Sequence, residues 1–338
     1  MGVLKTVMKL PNSEVETLVK RMTIRTIKSD DFDQLLKLVG EAFRKEEEIS
    51  GLSVQRLRRL AKLYSLIEVF LPVLDRFHVD LETILVAVLG NKLIGEIHVS
   101  PVRKTIWSLD SAAVDKMYRG HGVYKKLLSA SLEYIRRKGG RKAVTSLWTD
   151  NVAPVKMTNR LGFRVFVEEI LLRLEMDKLP VYESNRLDVS LRKMERTDVK
   201  KAYELIRTLN PEKTKAFETT QENIVDSFIG GLRNRITWTY SERWVMEKKD
   251  EVVGYVHIAY TPRQQAGEIR SFCVFPSNEA SDLVAFQLRK VLNSMRKKEI
   301  RKVTTFLNKD WKETIEIFKK SGFKPIASVY EMVKELRN

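Results

Sequence analysis

Residues 111–128 read S-A-A-V-D-K-M-Y-R-G-H-G-V-Y-K-K-L-L, and this stretch decides how the sequence is interpreted. An apolar run of strand type ends at Val114, and a polar loop leads into Arg119-Gly120-His121-Gly122. Apolar residues at helical spacing begin at Val123 and continue to Ile135. The stretch therefore predicts a strand, a glycine turn and a helix.

The glycine turn has the features of an anion site. Glycines at a helix entrance let a ligand approach the backbone closely, and the free N–H groups of the first helical turn favour negative charge. Arg119, Lys125 and Lys126 add positive charge. A pyrophosphate site is predicted, although an ordinary strand-to-helix turn has the same pattern. Two other phosphate motifs are excluded: G-x-x-x-x-G-K-[ST] is absent, and Lys125 stands where G-x-G-x-x-G needs its third glycine.

The turn and the elements after it resemble one enzyme family. R-G-H-G-V followed by K-K-L-L resembles the R-x-x-G-x-G/A acetyl-CoA loop of the GCN5-related N-acetyltransferase (GNAT) superfamily. A strand-like segment at 144–148, Asn151 and the segment 159–163, N-R-L-G-F, follow in the family's order. The resemblance covers roughly residues 22–176. One departure is Tyr124, which occupies the position of the motif's last Gly or Ala.

This resemblance implies a cofactor and a reaction. The family transfers an acetyl group from acetyl-CoA (coenzyme A) to an amine, here of an unidentified small molecule or protein. The residues expected to hold acetyl-CoA are Ala113, Val114, Arg119, Gly120, His121, Gly122, Val123, Tyr124, Lys125 and Asn151. Asn151 matches a residue that contacts the pantetheine arm, but it can equally cap a helix. The alternatives are a non-catalytic acyl-CoA-binding sensor or scaffold, and a basic nucleic-acid-associated module.

The reaction needs a group that removes a proton from the amine. An amine with a pKa of about 10.4 costs about 4.6 kcal/mol to deprotonate at pH 7. Family bases often lie on the strand before the loop, so Asp110 is the first candidate and Glu96 the second. His98 shares a strand face with Glu96, but its counterpart His257 in the second half favours a structural role.

The departing thiolate also needs a proton. The family often supplies it from a tyrosine at the position that Thr158 occupies here. Water, Tyr118 or Tyr124 is left to take that role, and Tyr124 is included among the catalytic candidates.

Length and composition are those of a globular protein. The 338 residues suggest two domains, and the single cysteine, Cys273, excludes an internal disulfide. No apolar run is long enough to cross a membrane and no secretory leader is recognisable, so a cytoplasmic location is expected. The histidines are scattered without metal-ligand spacing, and no metal is predicted. Nothing in the sequence indicates an oligomeric state.

The net charge is strongly positive but evenly distributed. It is +17 overall, with +9 in residues 1–180 and +8 in residues 181–338. Aromatic residues do not alternate with the basic ones as a base-stacking surface would require. Specific nucleic-acid binding is therefore not expected.

The second half of the chain repeats the first. Residues 93–99 and 252–258, residues 161–164 and 321–324, and Arg25 and Arg192 correspond at offsets of 159, 160 and 167. The predicted division is an extension at 1–22, a GNAT domain with the acetyl-CoA site at 23–178 and a degenerate GNAT-like domain at 186–338. The second copy is degenerate because 276–282, P-S-N-E-A-S-D, has two carboxylates and neither glycine nor arginine.

The predicted fold class is α/β, with a mixed (α+β) sheet in each of two tandem GNAT-like domains. A short helix is expected from Ser13, an amphipathic helical stretch over 52–74 and a linker near 178–185. Two separate strands, 164–167 and 170–176, are expected to close the first domain.

Overall fold

A computed structural model describes residues 17, 19–42, 82–176, 187–221 and 239–336. The helix expected from Ser13, the amphipathic stretch over 52–74 and the linker near 178–185 lie outside these residues. The elements below are numbered in chain order within the described part of the chain.

The described residues of the first half include six strands and three helices. They are β1 (Thr23–Thr26), α1 (Phe32–Ala42), β2 (Thr83–Leu89), β3 (Lys92–Arg103), β4 (Ile106–Val114), α2 (Val123–Arg137), β5 (Lys142–Trp148), α3 (Val152–Arg160) and β6 (Arg164–Glu175). The strand, glycine turn and helix predicted from residues 111–128 are confirmed as β4, a loop and α2.

The second half repeats this order and adds one short helix. It contains β7 (Ser190–Lys193), α4 (Val199–Leu209), α5 (Pro211–Ala216), β8 (Tyr240–Lys248), β9 (Glu251–Thr261), β10 (Ala266–Val274), α6 (Ala280–Lys297), β11 (Lys302–Asn308), α7 (Lys312–Lys320) and β12 (Lys324–Glu335). From β11 onward each element begins 160 residues after its counterpart. The predicted α/β fold in two copies is confirmed.

The repetition extends to an ion pair at the start of each copy. Arg25 donates to both oxygens of Asp31, at 2.6 and 3.0 Å, and Arg192 does the same to Asp198, at 2.7 and 2.9 Å. Each aspartate also accepts a backbone N–H three residues earlier, which fixes the turn before the first helix. The same two-pronged contact at an offset of 167 residues is direct structural support for an internal duplication.

In the first half, helices cover both faces of the sheet. β1, β2, β3 and β4 are antiparallel neighbours, and β4 pairs with β5 in parallel. The buried face of α2 packs against β3 where Gly95 leaves room: a Cβ there would lie 3.0 Å from Leu127 Cδ1 and 3.1 Å from Val123 Cγ1. On the other face α1 buries Leu35 and Leu38 against β2 and β3. Burying one such leucine contributes about 2 kcal/mol.

The chain divides into two compact units that do not follow the predicted linear boundary. The first unit contains residues up to 147, residues 151–164 and Met332–Asn338, and the second contains Trp148–Asp150 and Val165–Glu331. Strand β6 therefore belongs to the second unit, where it pairs antiparallel with β11 from Lys302↔Glu175 to Asn308↔Glu169. The boundary at 178–186 does not coincide with this division, because β6 and the end of β12 exchange places between the copies.

Strand β6 also corrects a prediction. Residues 164–167 and 170–176 were expected to be separate strands, but Arg164–Glu175 is continuous. The pair Glu168-Glu169 interrupts the apolar pattern, and both carboxylates have partners in the second unit. Glu168 pairs with Lys309 at 2.6 Å and Glu169 with Lys213 at 2.9 Å. Because these charges are paired, they do not end the strand.

Candidate active site

The loop between β4 and α2, residues 115–122, holds its glycines in a conformation that other residues rarely adopt. Gly120 has a φ of +84° and Gly122 a φ of +82°, and Gly122 directly precedes the first residue of α2. A Cβ at either position would meet no atom within 4 Å. The glycines are therefore required by the backbone conformation, while the space in front of the loop is open.

The carboxylate in this loop is neutralised. Asp115 accepts from the backbone N–H of Met117 at 2.9 Å, which shapes the turn, and pairs with Lys92 Nζ at 2.8 Å. Burial opposes ionisation of Asp115, but the ion pair and the N–H outweigh it and hold its pKa below the ordinary value. Asp115 therefore presents no unpaired negative charge to an anion that binds at the loop.

The two basic side chains of the loop and helix start differ in orientation. Arg119 is exposed, and its Nε donates to Val114 O at 3.0 Å, which folds the guanidinium back along the loop. Lys125 is exposed on the first turn of α2. Lys126, its neighbour, donates to Val19 O at 3.2 Å instead. Arg119 and Lys125 thus lie exposed at the helix entrance, whereas Lys126, which the sequence places beside them, is bound to Val19 O.

Tyr124 and Thr158 are brought together by the packing of α2 beside α3. The Tyr124 hydroxyl lies 3.0 Å from Thr158 Oγ1, and Thr158 is completely buried. Burial raises the pKa of Tyr124 above its ordinary value, although the Thr158 hydrogen bond opposes this, so the phenol keeps its proton at neutral pH. A tyrosine hydroxyl from α2 therefore lies beside position 158.

Asn151 stands at the start of α3. Its side chain is exposed and makes no capping hydrogen bond, while its backbone O accepts from Val155 N at 3.2 Å. The helix-cap interpretation is therefore not supported, and the amide remains available for a ligand.

Glu96 occupies the buried end of a row of polar residues on β3. It lies opposite Val86 on β2 and Ala113 on β4, so it points to the α1 face of the sheet. It is 1% exposed, and its Oε1 has no hydrogen-bond partner among the described residues. Burial raises the pKa of Glu96 to about 7, although the charge of His98 and the N–H of Ala113 oppose the rise.

Asp110 occupies the exposed end of the same row. It is the extra residue of a β-bulge between β3 and β4, and it accepts hydrogen bonds from Ser100 and Ser108. His98 lies between the two ends, with Nδ1 3.4 Å from Asp110 and Nε2 3.4 Å from Glu82. We call Glu96, His98, Ser100, Ser108 and Asp110 the polar stripe. The two base candidates are therefore parts of one row.

The second copy has lost both parts of this arrangement. Tyr255 and Cys273 stand where the first copy has Glu96 and Ala113, and burial raises the pKa of Cys273 to about 12. In the loop before α6, Glu279 replaces Arg119 and forms an ion pair with Lys248. His257, the counterpart of His98, lies 2.7 Å from Ser241 Oγ.

Comparison with known proteins places these features in a family. Residues 51–163 match the model of the acetyltransferase (GNAT) family, and these residues include β2 to β5, the glycine loop and α3. In this segment the chain is similar to the GNAT family. The match ends at Phe163, where the predicted L-G-F segment ends.

One curated relative is described as an N-acetyltransferase. An uncharacterized N-acetyltransferase of Methanocaldococcus jannaschii is 26% identical over 158 residues, which are 44% of this chain and 64% of that protein. This chain thus spans less than two thirds of the relative's length.

Two solved structures share the fold over nearly the whole chain. The GCN5-related N-acetyltransferase of Sphaerobacter thermophilus has a TM-score of 0.65 at 15% identity, covering 94% of this chain and 96% of that one. A tandem GNAT protein from the clavulanic acid biosynthesis pathway has a TM-score of 0.60 at 12% identity, covering 94% and 99%. This likeness is one of fold, and it includes a tandem arrangement.

Two contacts of the candidate site were not found from the sequence. The ion pair between Lys92 and Asp115 joins a hairpin to the glycine loop, and the contact between Tyr124 and Thr158 joins two helices. No spacing rule relates such distant positions. The burial of Glu96 did have a signal, since apolar residues flank it on both sides in 93–99.

Two general observations complete the description. No group of three or more His, Cys, Asp or Glu is placed to hold a metal ion within the described residues. None of the helices in the described part of the chain is long and apolar enough to cross a membrane.

Proposed function

We propose that this protein transfers an acetyl group from acetyl-CoA to an amine of a small molecule or a protein. The observation that supports this most strongly is the pair of left-handed glycines, Gly120 and Gly122, at the entrance of a fifteen-residue helix. The N-terminus of such a helix attracts negative charge, and open glycines let a phosphate reach its N–H groups.

The residues of the first copy fit this cofactor. The glycine loop with His121, Val123 and Lys125 would hold the pyrophosphate, assisted by Arg119. Ala113, Val114 and Asn151 would hold the pantetheine arm. Pairing of Asp115 with Lys92 removes the repulsion that a free carboxylate would exert. When bound, acetyl-CoA supplies the acetyl group as an activated thioester.

We assign removal of the amine proton to the polar stripe. Asp110 is its exposed end, so an amine can reach this carboxylate, whereas Glu96 is 1% exposed. A proton taken by Asp110 is shared with His98, 3.4 Å away. Glu96 at the buried end stabilises the charged His98 whenever it is ionised itself. Its pKa of about 7 makes this support depend on pH near neutrality.

We assign protonation of the departing thiolate to Tyr124. Its phenol keeps its proton at neutral pH, and Thr158 Oγ1 at 3.0 Å fixes its orientation. A thiol with a pKa of about 8.5 needs only about 2 kcal/mol of help at pH 7, so one oriented hydroxyl is sufficient. The second copy, which lacks both the glycine loop and the polar stripe, is proposed to have no acetyl-CoA site.

Calorimetric titration with acetyl-CoA tests the proposal. We expect the wild type to bind, and Gly122→Glu to weaken binding at least tenfold because it places a carboxylate at the phosphate position. Gly139→Glu is the matched control. Gly139 lies beyond the other end of α2 and has a φ of +78°, and a Cβ added there would meet no atom within 4 Å. Gly139→Glu should bind as the wild type does. Absence of binding by the wild type would contradict the proposal and leave a scaffold or a nucleic-acid-associated role.

A further inference from the structure

Helix α3 ends in the same way as its counterpart α7. Gly162 has a φ of +87°, its N–H donates to Asn159 O at 2.9 Å, and the Phe163 N–H donates to Thr158 O at 3.3 Å. This pair of bonds around a left-handed glycine is a Schellman motif. In α7, Gly322 and Phe323 make the same two bonds, at 2.9 and 3.1 Å. The motif leaves the carbonyl of the residue before each glycine without its helical partner.

In α3 this remaining carbonyl is capped by a side chain from the other copy. Lys334 Nζ donates to Leu161 O, and a Cβ on Gly162 would lie 2.7 Å from the same Nζ. Both Lys334 and Leu161 belong to the first unit. A lysine at a helix C-terminus complements the negative end of the helix dipole.

The corresponding position in the second unit carries no charge. The residue 160 positions before Lys334 is Leu174, and a Cβ on Gly322 would lie 3.2 Å from Leu174 Cδ1. Each helix end is therefore covered by a strand residue of the other copy. Only the helix beside the glycine loop receives an ammonium group.

A continuous set of hydrogen bonds leads from this cap to Tyr124. Lys334 binds Leu161 O, the Leu161 N–H donates to Thr158 O at 3.1 Å, and Thr158 Oγ1 lies 3.0 Å from the Tyr124 hydroxyl. From this we infer that Lys334 is a positioning residue, which holds the last turn of α3 so that Thr158 orients Tyr124 for proton transfer. The inference rests on the function proposed above, and it gives the second copy a part in the first copy's reaction.

The first test reads the position of Tyr124 without requiring turnover. Protein labelled with ¹³C at the tyrosine ζ carbon is compared with Lys334→Met and with Lys334→Arg, and Tyr124→Phe assigns the signal. We expect Lys334→Met to move the Tyr124 signal and its titration, and Lys334→Arg to keep both near the wild-type values. Leu174→Met is the control at the equivalent place, since it conserves volume and should leave the signal unchanged. An unmoved signal in Lys334→Met would overturn the inference.

The second test reads turnover in a double-mutant cycle. We expect Lys334→Met to lower kcat about tenfold at unchanged acetyl-CoA affinity, and to have no further effect in the Tyr124→Phe background. Two effects that simply multiply would show that Lys334 acts independently of Tyr124. If the wild type has no turnover, the proposed function fails while the tyrosine signal still decides the role of Lys334. If Lys334→Met does not fold, Lys334→Gln carries the same expectations.

Discussion

The hydroxyl of Tyr124 lies 3.0 Å from Oγ1 of Thr158, the residue that occupies the position of the tyrosine usual in this family. The sequence departs from the family motif at both positions. In the structure the two positions are in contact, because α2 brings the phenol of Tyr124 to the hydroxyl of Thr158 on α3.

Tyr124→Phe should lower kcat between about 10- and 100-fold, because it removes the proton donor but keeps the ring that packs on α3. Acetyl-CoA affinity should not change. Steady-state kinetics measures kcat, and calorimetry measures the affinity for acetyl-CoA. Tyr118→Phe is the matched control: Tyr118 is buried beneath Lys92, whose Nζ lies 4.8 Å from the ring centroid, and this contact survives loss of the hydroxyl. An equal loss in both variants would exclude Tyr124 as the specific donor.

Glu96→Gln should change the pH dependence of stability in a defined direction. The folded protein holds the pKa of Glu96 at about 7, above the ordinary 4.5, so between these values the unfolded state binds fewer protons. The contribution of Glu96 to stability is therefore highest below pH 4.5 and falls as pH rises towards 7, by about 3 kcal/mol. Because glutamine does not ionise, the Glu96→Gln variant does not lose this stability as pH rises.

Denaturant unfolding of wild type and Glu96→Gln at pH 5 and pH 8 measures this change in the free energy of unfolding with pH. The variant should gain stability relative to the wild type on going to pH 8. If the stabilities of the two proteins change with pH in parallel, Glu96 does not have a raised pKa in the folded protein.

Asp110→Asn should lower the acceptor's kcat/KM at least tenfold and should also lower the pKa of His98. Burial lowers that pKa in the wild type, but Glu82, Asp110 and Glu96 together outweigh it and raise the pKa above its ordinary value. Removing one of these charges moves it down. The chain has four histidines, so NMR titration can follow each one. His257 beside Ser241 is the internal reference and should titrate unchanged.

One acetyl-CoA should bind per chain. The second copy's loop has Glu279 and Asp282 where the first has Arg119 and Gly122. Glu279 is paired with Lys248 and supplies no positive charge, and the carboxylate of Asp282 repels a phosphate at the start of α6. Calorimetric stoichiometry measures the number of sites. Two equivalent sites would show that the second loop rearranges to bind, contrary to its assignment as degenerate.

Local features of this chain were predictable from the sequence. Gly120 and Gly122 indicate the left-handed turn because few other residues tolerate it, and the offsets of 159, 160 and 167 residues indicate the duplication. Strand neighbours were not predictable. The apolar residues Leu172 and Leu174 alternate with polar ones, which indicates that one face of β6 is buried. This pattern does not tell whether β6 packs in the first or the second unit. In the structure both leucines belong to the hydrophobic core of the second unit.

Contacts between residues that are far apart in the sequence could not be predicted either. Lys334 reaches Leu161 over 173 positions, and no period or motif connects them. Asp110 ranks before Glu96 as a base candidate because of its strand and not because of its depth. The apolar neighbours of Glu96 indicate its burial, but only the fold shows that Asp110 is exposed.

Placement of Met332–Asn338 in the first unit has a consequence for how the protein is made. During translation Arg164 is followed by about 170 residues before Met332 emerges, which takes roughly 10 to 35 s at typical elongation rates. Until then α3 lacks Lys334 on its final carbonyl, and the nascent first unit is incomplete. The segment that bears the glycine loop is synthesised early, yet its reactive arrangement is completed only by residues that are added after Glu331.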